Sequence, residues 1–260
     1  VLPDGKTEGI HSPSVELPFH KKIYEKRPDI KAIIHAHSPA LIAFSLVRRV
    51  PDTRFTPDIH FTCGKVGMAA YAVPGSRELG DNIAEKFGEG CDMVLLENHG
   101  VVVGSVDLSH AYAMFEALEF AARTEIEAGK LSRPVELTKE QLDMAKWEQA
   151  DLSAAPQKTI SSEERDARRN ICAFTHRAYD QFLFTCTQGT FSQRLTDGAF
   201  LTAPPSADRK YMEEADILHI GKSPAESGGS QNYFIKFIQA VYQKHPDIQS
   251  VVIARSPNIM

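Results

Sequence analysis

Two imidazoles stand two residues apart at His35-Ala36-His37, and their spacing is the first sign of chemistry in this chain. On an extended strand, side chains at i and i+2 leave the same face, so both rings aim at one place. The residues before them, Ala32, Ile33 and Ile34, are apolar and predict a buried strand, in which paired imidazoles need partners or a metal ion. A His-x-His pair on a strand also occurs without any metal role. His99 lies in Leu95-Leu96-Glu97-Asn98-His99-Gly100, a turn between two apolar runs. Strand ends and the loops after them are where α/β proteins place functional groups. A third imidazole converging there makes a three-histidine site with an open position, the arrangement of catalytic rather than structural zinc. The alternative for His99 is a turn residue whose ring caps local backbone groups. Glu16 and His20 stand four residues apart and share a helix face. Of the two, Glu16 is the better functional candidate, because a carboxylate near a metal-bound oxygen can shuttle protons. A glutamate in a first helical turn also suits the helix dipole and needs no other purpose.

These side chains require elements to hold them. Periodicity predicts a helix over Glu16 to Lys26, ended by Pro28, and a short strand over Lys31 to His37. It predicts a second helix over Pro39 to Val47, strands at Met93 to Leu96 and Val101 to Val103, and a long amphipathic helix over Leu108 to Glu127. From Leu131 to Ser162 the chain turns polar and Pro-containing, with a short helix expected at Lys139 to Glu148, which reads as a linker. A second unit opens with a helix at Glu163 to Phe184, has strand-like pieces near Phe200 and Ile217, and closes with a helix and strand over Asn232 to Ile253. Its close repeats the first unit: Ile23 to Ile34 aligns without gaps on Val241 to Val252, and Ser38-Pro39 on Ser256-Pro257. An internal duplication explains this run better than a coincidental helix-turn-strand. The expected organisation is 1–130, a linker at 131–160, and 161–260.

Composition narrows the function classes. The 260 residues are 42% hydrophobic and 24% charged, with no apolar run near the ~18 residues of a membrane-spanning helix. The formal charge of -5 comes with no basic block, so neither nucleic acid nor a membrane is expected as a partner, and an anionic substrate must be held by a local site. Cys63, Cys91, Cys172 and Cys186 are widely spaced with no CxxC pair, and no signal peptide opens the chain, which fits a reducing, cytoplasmic setting. Val1 is not an initiator Met, and Val1 to Lys6 reads as a strand end running into a turn, so the chain is expected to be a fragment with something preceding it.

Several stretches taken in order carry a resemblance. They are Ser14-Val15-Glu16-x₃-His20-x₃-Tyr24-x₃-Pro28-Asp29, then Ile34-His35-Ala36-His37, then Tyr71-Ala72-Val73-Pro74-Gly75-Ser76-Arg77-Glu78-Leu79. Leu95 to Val102, around Asn98-His99-Gly100, and the helix bearing Glu116 and Glu119 follow. Over residues 1–130 this order and spacing resembles the class II aldolase/adducin family. The resemblance implies an α/β fold of three layers, with helices flanking a mainly antiparallel central sheet. It implies that His35, His37 and His99 bind Zn2+, that Glu16 is the acid/base, and that Tyr71 comes from a neighbouring subunit of a tetramer-like homo-oligomer to serve the aldehyde oxygen. Without the resemblance, Tyr71 reads as an ordinary amphipathic residue. The activity implied is retro-aldol cleavage of a small sugar phosphate, a fuculose-1-phosphate-like ketose 1-phosphate, to dihydroxyacetone phosphate and an aldehyde. The alternatives are a pentulose-5-phosphate 4-epimerase, whose pattern carries Asp where this chain has Glu16, and an adducin-like binding module.

The chain departs from the family pattern in places. The family's phosphate pocket uses a Gly-Asn-x-Ser loop and a Ser pair before the Glu, whereas here the pair is Ser14-Val15. A loop of that type stands in the second unit as Gly189-Thr190-Phe191-Ser192, its Asn replaced by Thr190. Ser14, Gly189, Thr190 and Ser192 are therefore the candidate substrate-binding residues. In the second unit Ile253, Arg255 and Phe234 stand where His35, His37 and Glu16 would, so this degenerate, partial copy is not expected to bind zinc.

Overall fold

The structure, a computed structural model, describes residues 2, 6–146, 160–205, 207–221 and 233–256, and divides the chain into two compact units, Val1–Lys139 and Glu140–Met260. The strand end expected at Val1 to Lys6 falls largely outside the described residues, as do residues 147–159 of the expected linker and Pro257 of the repeat.

In the first unit the elements run α1 (Leu17–Lys26), β1 (Ala32–Ala36), α2 (Pro39–Leu46), a 3-10 turn (Thr53–Phe55), α3 (Pro57–Cys63), β2 (Val66–Ala69), α4 (Arg77–Gly88), β3 (Met93–Leu96), β4 (Gly100–Ser105) and α5 (Leu108–Leu131). The sheet order is β1-β4-β3-β2, antiparallel except for the β2–β3 pair. Alternation along the strands explains the layers. Met93, Leu95, Val101 and Val103 face Leu41, Phe44, Ile59, Leu118 and Phe120 of α2, α3 and α5. Val94, Leu96 and Val102 face Phe19, Ile23, Ile83 and Phe87 of α1 and α4. Burial of each such side chain contributes roughly 1.5–3 kcal/mol. The result is three layers with a mainly antiparallel sheet between them.

The helix starts follow local chemistry. Ser76 accepts from the Leu79 N–H (3.1 Å) at the start of α4, and Asp107 from the His110 N–H (2.7 Å) at α5. Glu119, buried on the core side of α5, accepts from the Leu41 N–H (3.3 Å) in the first turn of α2 and from Arg123 (2.7 Å). A carboxylate there satisfies an amide that has no partner within its own helix. Arg27, just past α1, holds Asp29 (2.6 Å) and Asp92 (3.0 Å) and so ties the helix end to the start of β3. The strand expected to be buried, β1, is only half-buried along its whole length, because it is the edge of the sheet and has no second neighbour among the described residues.

The second unit contains α6 (Lys139–Met144, which begins at the boundary), α7 (Ser162–Asp180), β5 (Thr190–Arg194), β6 (Phe200–Thr202), β7 (Leu218–Ile220), α8 (Tyr233–Lys244) and β8 (Ser250–Ile253). Its antiparallel sheet runs β7-β6-β5-β8, with α7 packed on one face through Ile171, Leu201 and Met212. The other face packs α8 through Phe200, Leu218 and Ile238. Glu164 and Arg168 form a buried pair (2.7 Å), with Arg168 also donating to the carbonyls of Glu214 and Ile217. The four cysteines are unpaired and buried, and burial pushes the Cys63 and Cys172 thiols up to about 12 and about 11. Among the described residues no helix is long and apolar enough to cross a membrane.

The sequence repeat is also a structural repeat. The α1 and α8 helices end at the matching Lys26 and Lys244, and β1 and β8 begin at the matching Ala32 and Ser250. Both turns between them close alike, Ile30 N–H to the Arg27 carbonyl and Ile248 N–H to the His245 carbonyl, each 3.1 Å. The strands differ in which edge is paired. Gly104 donates to the Asp92 carbonyl, so Val101 and Val103 turn their backbone groups toward β1, opposite Ala36 and Ile34. Arg194 donates to the Gln249 carbonyl, so Val251 and Ile253 face β5, and these match the alternate residues Ile33 and His35. The two copies are thus paired along opposite edges.

Gly104 marks a close approach, since a Cβ there would lie 2.7 Å from Ile30 Cδ1 and 2.9 Å from Phe87 Cε1. Gly104→Val is expected to destabilise the first unit by ~1–3 kcal/mol in urea unfolding. Gly129, with open space around it inside α5, behaves oppositely, and Gly129→Ala is expected to stabilise by ~0.5–1 kcal/mol in the same measurement.

Candidate metal centre

Three segments carry the site. The β1 strand supplies His35 and, just past its end, His37; the register that places His35 against Val102 brings the β3–β4 turn, with His99, beside them. Glu16, at the N-cap of α1, approaches from the other layer. Its backbone N–H donates to Ser14 Oγ (3.2 Å), and the helix proper starts with Pro18 in its first turn.

One ligand atom from each of Glu16, His35, His37 and His99 falls within 4.8 Å of all the others. The three rings form a near-equilateral triangle, with centroids 4.7, 4.9 and 4.9 Å apart. His35 Nδ1 lies 2.9 Å from the Val101 carbonyl, so that nitrogen carries the hydrogen and Nε2 presents its lone pair to the cluster. That Nε2 is 3.0 Å from His37 Nε2 and 3.1 Å from Glu16 Oε1. A lone pair facing a carboxylate oxygen at this distance is repulsive unless a proton or a cation lies between them. Zinc–nitrogen bonds in a tetrahedral site put ligand nitrogens about 3.3 Å apart, near the 3.0 Å between the His35 and His37 nitrogens. His99 Nδ1 is buried with no hydrogen-bond partner among the described residues. Burial, then His35 and His37, push the His99 pKa down against the pull of Glu16, which favours the neutral, ligating imidazole. Three imidazoles and a carboxylate fit a divalent zinc-type ion.

His20, one turn after Glu16, stacks on Phe19 (4.5 Å), and Phe19 meets the His35 ring edge-on (5.4 Å). Burial, then His35, push the His20 pKa down, opposed by Glu16. It therefore lines the site without joining the cluster. Sequence reasoning missed the roles of Phe19 and of the Val101 carbonyl, since neither residue type signals a site.

Tyr71 is 53% exposed in the loop after β2, its backbone N–H donating to Glu97 Oε2 (3.1 Å). The Gly75 turn rests on Val15, where a Cβ at Gly75 would come within 3.3 Å. In the second unit the side chains expected to bind substrate are engaged with neighbouring side chains. The Ser192 hydroxyl, 1% exposed, pairs with the Tyr242 hydroxyl (2.9 Å), and Thr190 Oγ1 pairs with Thr202 Oγ1 (3.1 Å). Gly189, at φ +93°, has the Phe184 ring against the space a Cβ would need. The phosphate-loop pattern there survives as a core-forming turn.

Residues 2–126 match the family model described as Class II Aldolase and Adducin N-terminal domain. The L-fuculose phosphate aldolase of Methanococcus maripaludis is 34% identical over 111 residues, covering 43% of this chain and 59% of that protein. The 3-oxo-tetronate 4-phosphate decarboxylase of Pectobacterium atrosepticum is 39% identical over 116 residues, covering 43% and 52%. The 5-deoxy-D-ribulose 1-phosphate aldolase of Bacillus thuringiensis is 32% identical over 142 residues, covering 54% and 65%. The chain thus spans between 52% and 65% of the length of these curated relatives. The solved structure of YgbL from Escherichia coli, provisionally described as an aldolase/epimerase/decarboxylase, is 29% identical with a TM-score of 0.50, covering 54% of this chain and 69% of that one. The three-layer unit that gathers Glu16, His35, His37 and His99 is the part of the chain, residues 2–126, that matches the class II aldolase and adducin N-terminal domain family.

Proposed function

We propose that the first unit holds zinc on His35, His37 and His99 and performs the reversible retro-aldol cleavage of a ketose 1-phosphate, fuculose-1-phosphate-like, to dihydroxyacetone phosphate and an aldehyde. The observation that carries this reading is the convergence of the three imidazoles and Glu16 within 4.8 Å in a domain of this family. When bound, zinc supplies Lewis acidity that stabilises negative charge on the substrate's carbonyl oxygen as the carbon–carbon bond breaks. Glu16, with 27% of its side chain open to solvent, delivers a proton to the carbon left behind and takes it back in the reverse direction. In cleavage the Tyr71 phenolate takes the proton from the hydroxyl that becomes the aldehyde oxygen, in condensation its phenol gives it back, and solvent carries a proton from Tyr71 to Glu16 between turnovers.

Tyr71 is exposed, which supports its being offered to the site of a neighbouring copy in a homo-oligomer. Val73, Leu46 and Val47, 65%, 55% and 64% exposed, are apolar surface available to such an assembly. Ser14, exposed at the entrance to α1, is the remaining candidate for holding the phosphate.

A second reading is decarboxylation of a phosphorylated 3-oxo sugar acid, favoured by the 39% identity to a 3-oxo-tetronate 4-phosphate decarboxylase. The same carbonyl stabilisation applies, carbon dioxide leaves in place of the aldehyde, and Glu16 again protonates the carbon. Release of dihydroxyacetone phosphate from ketose 1-phosphates, measured beside carbon dioxide release from 3-oxo-tetronate 4-phosphate, separates the two.

His37→Ala is expected to lose bound zinc and activity together by elemental analysis and turnover. Glu16→Gln is expected to keep zinc and lose about 10²–10⁴-fold in kcat. Activity retained in zinc-free His37→Ala protein overturns the reading. Mixing inactive His37→Ala and Tyr71→Phe chains under subunit exchange is expected to restore activity, and no recovery in verified mixed oligomers overturns the offering of Tyr71 across subunits.

A further inference from the structure

Two of the histidines are held in place by different means. The His35 ring is fixed by its hydrogen bond to the Val101 carbonyl (2.9 Å). His99 has no such tether: its Nδ1 finds no partner among the described residues, and Nε2 is 4.0 Å from Glu16 Oε1, beyond hydrogen-bond reach. The position of its ring therefore falls to the backbone that carries it.

That backbone is the turn Leu96–His99, closed by the His99 N–H to the Leu96 carbonyl (3.1 Å). Of its two central residues only Asn98 has a positive φ, 55°, which is the type II pattern whose third residue is Gly or Asn. The turn is also anchored outward, Glu97 N–H to the Ala69 carbonyl (3.1 Å) and Asn98 N–H to the Ser45 carbonyl (3.5 Å). Directly after it, a Cβ on Gly100 would lie 2.5 Å from the Ala36 carbonyl oxygen and 2.7 Å from His37 Cδ2. The His37 ring thus occupies the space a side chain at residue 100 would need.

We infer that Asn98 and Gly100 are the positioning residues of the three-histidine centre. Asn98 holds the left-handed backbone that aims His99, and Gly100 leaves the room in which His37 sits. The inference rests on the zinc reading of the site and deepens it. A residue other than Gly or Asn at 98 is strained at this φ, so the metal-free turn relaxes and His99 swings out, and metal binding must then restore the turn.

The test is zinc affinity of the full chain by competition with a chromophoric chelator, together with the visible spectrum of the cobalt(II)-loaded protein and thermal unfolding. Asn98→Gly is expected to bind zinc within about twofold of the parent with the same cobalt spectrum, because glycine adopts positive φ freely. Asn98→Ala is expected to bind about tenfold more weakly with an altered cobalt spectrum, and Asn98→Ser takes its place should the alanine variant not fold. Gly100→Ala is expected to weaken zinc as well, by displacing His37. Asn98→Ala binding as tightly as the parent, or Asn98→Gly binding as weakly as Asn98→Ala, overturns the assignment of the turn. A parent chain that takes up no zinc overturns the metal centre itself, and the parent's stoichiometry tells the two failures apart.

Discussion

The antiparallel register of β1 on β4 is the constraint on which the site depends. With His35 opposite Val102, the β3–β4 turn ends beside His37, and an imidazole 64 residues away in the chain joins the pair. A slip of one residue would turn His35 and His37 to the other face of the sheet, and a slip of two would carry the turn about 7 Å along the strand, beyond ligand distance. The register is held because Ile34 and Val103 must face the α5 layer while Ile33 and Val102 face the α1 layer. Apolar packing of the central strands therefore sets the position of the polar cluster at their end.

That cluster stores electrostatic tension. Burial disfavours protonated imidazole at His99 and His20, while Glu16 pulls the other way. A carboxylate oxygen 3.1 Å from the lone pair of His35 is tolerated when a positive charge sits between them. The surrounding structure fixes each group from outside: Val101 orients His35, Glu119 and Pro39 anchor the helix that follows His37, and Phe19 packs against the His35 ring.

The second unit shows the same helix-turn-strand put to another use. It keeps the α1–β1 geometry in α8 and β8, yet Ile253 occupies the His35 position and packs with Ile238 and Tyr242 as part of a core. Its strand is paired along the edge that β1 leaves open, by β5, so the two units present complementary halves of one pattern. The hydroxyls of Thr190 and Ser192, which in a loop could have met a phosphate, are paired with Thr202 of the same sheet and with Tyr242 of α8.

Much of this was legible in the amino-acid sequence. Spacing alone put His35 and His37 on one strand face, the Asn98-His99-Gly100 turn between two apolar runs, and the duplication in register to the residue, because these are properties of neighbours along the chain. The family resemblance carried the pairing of His99 with His35 and the antiparallel sheet; periodicity could not, since an apolar run reads alike in parallel and antiparallel neighbours. Only the tertiary structure decided that β1 is a half-buried edge, that Thr190 and Ser192 face inward, and that Asn98, beside His99, takes a left-handed backbone. Burial, edge position and side-chain pairing depend on which strands meet across long stretches of chain, and that outcome is settled by packing.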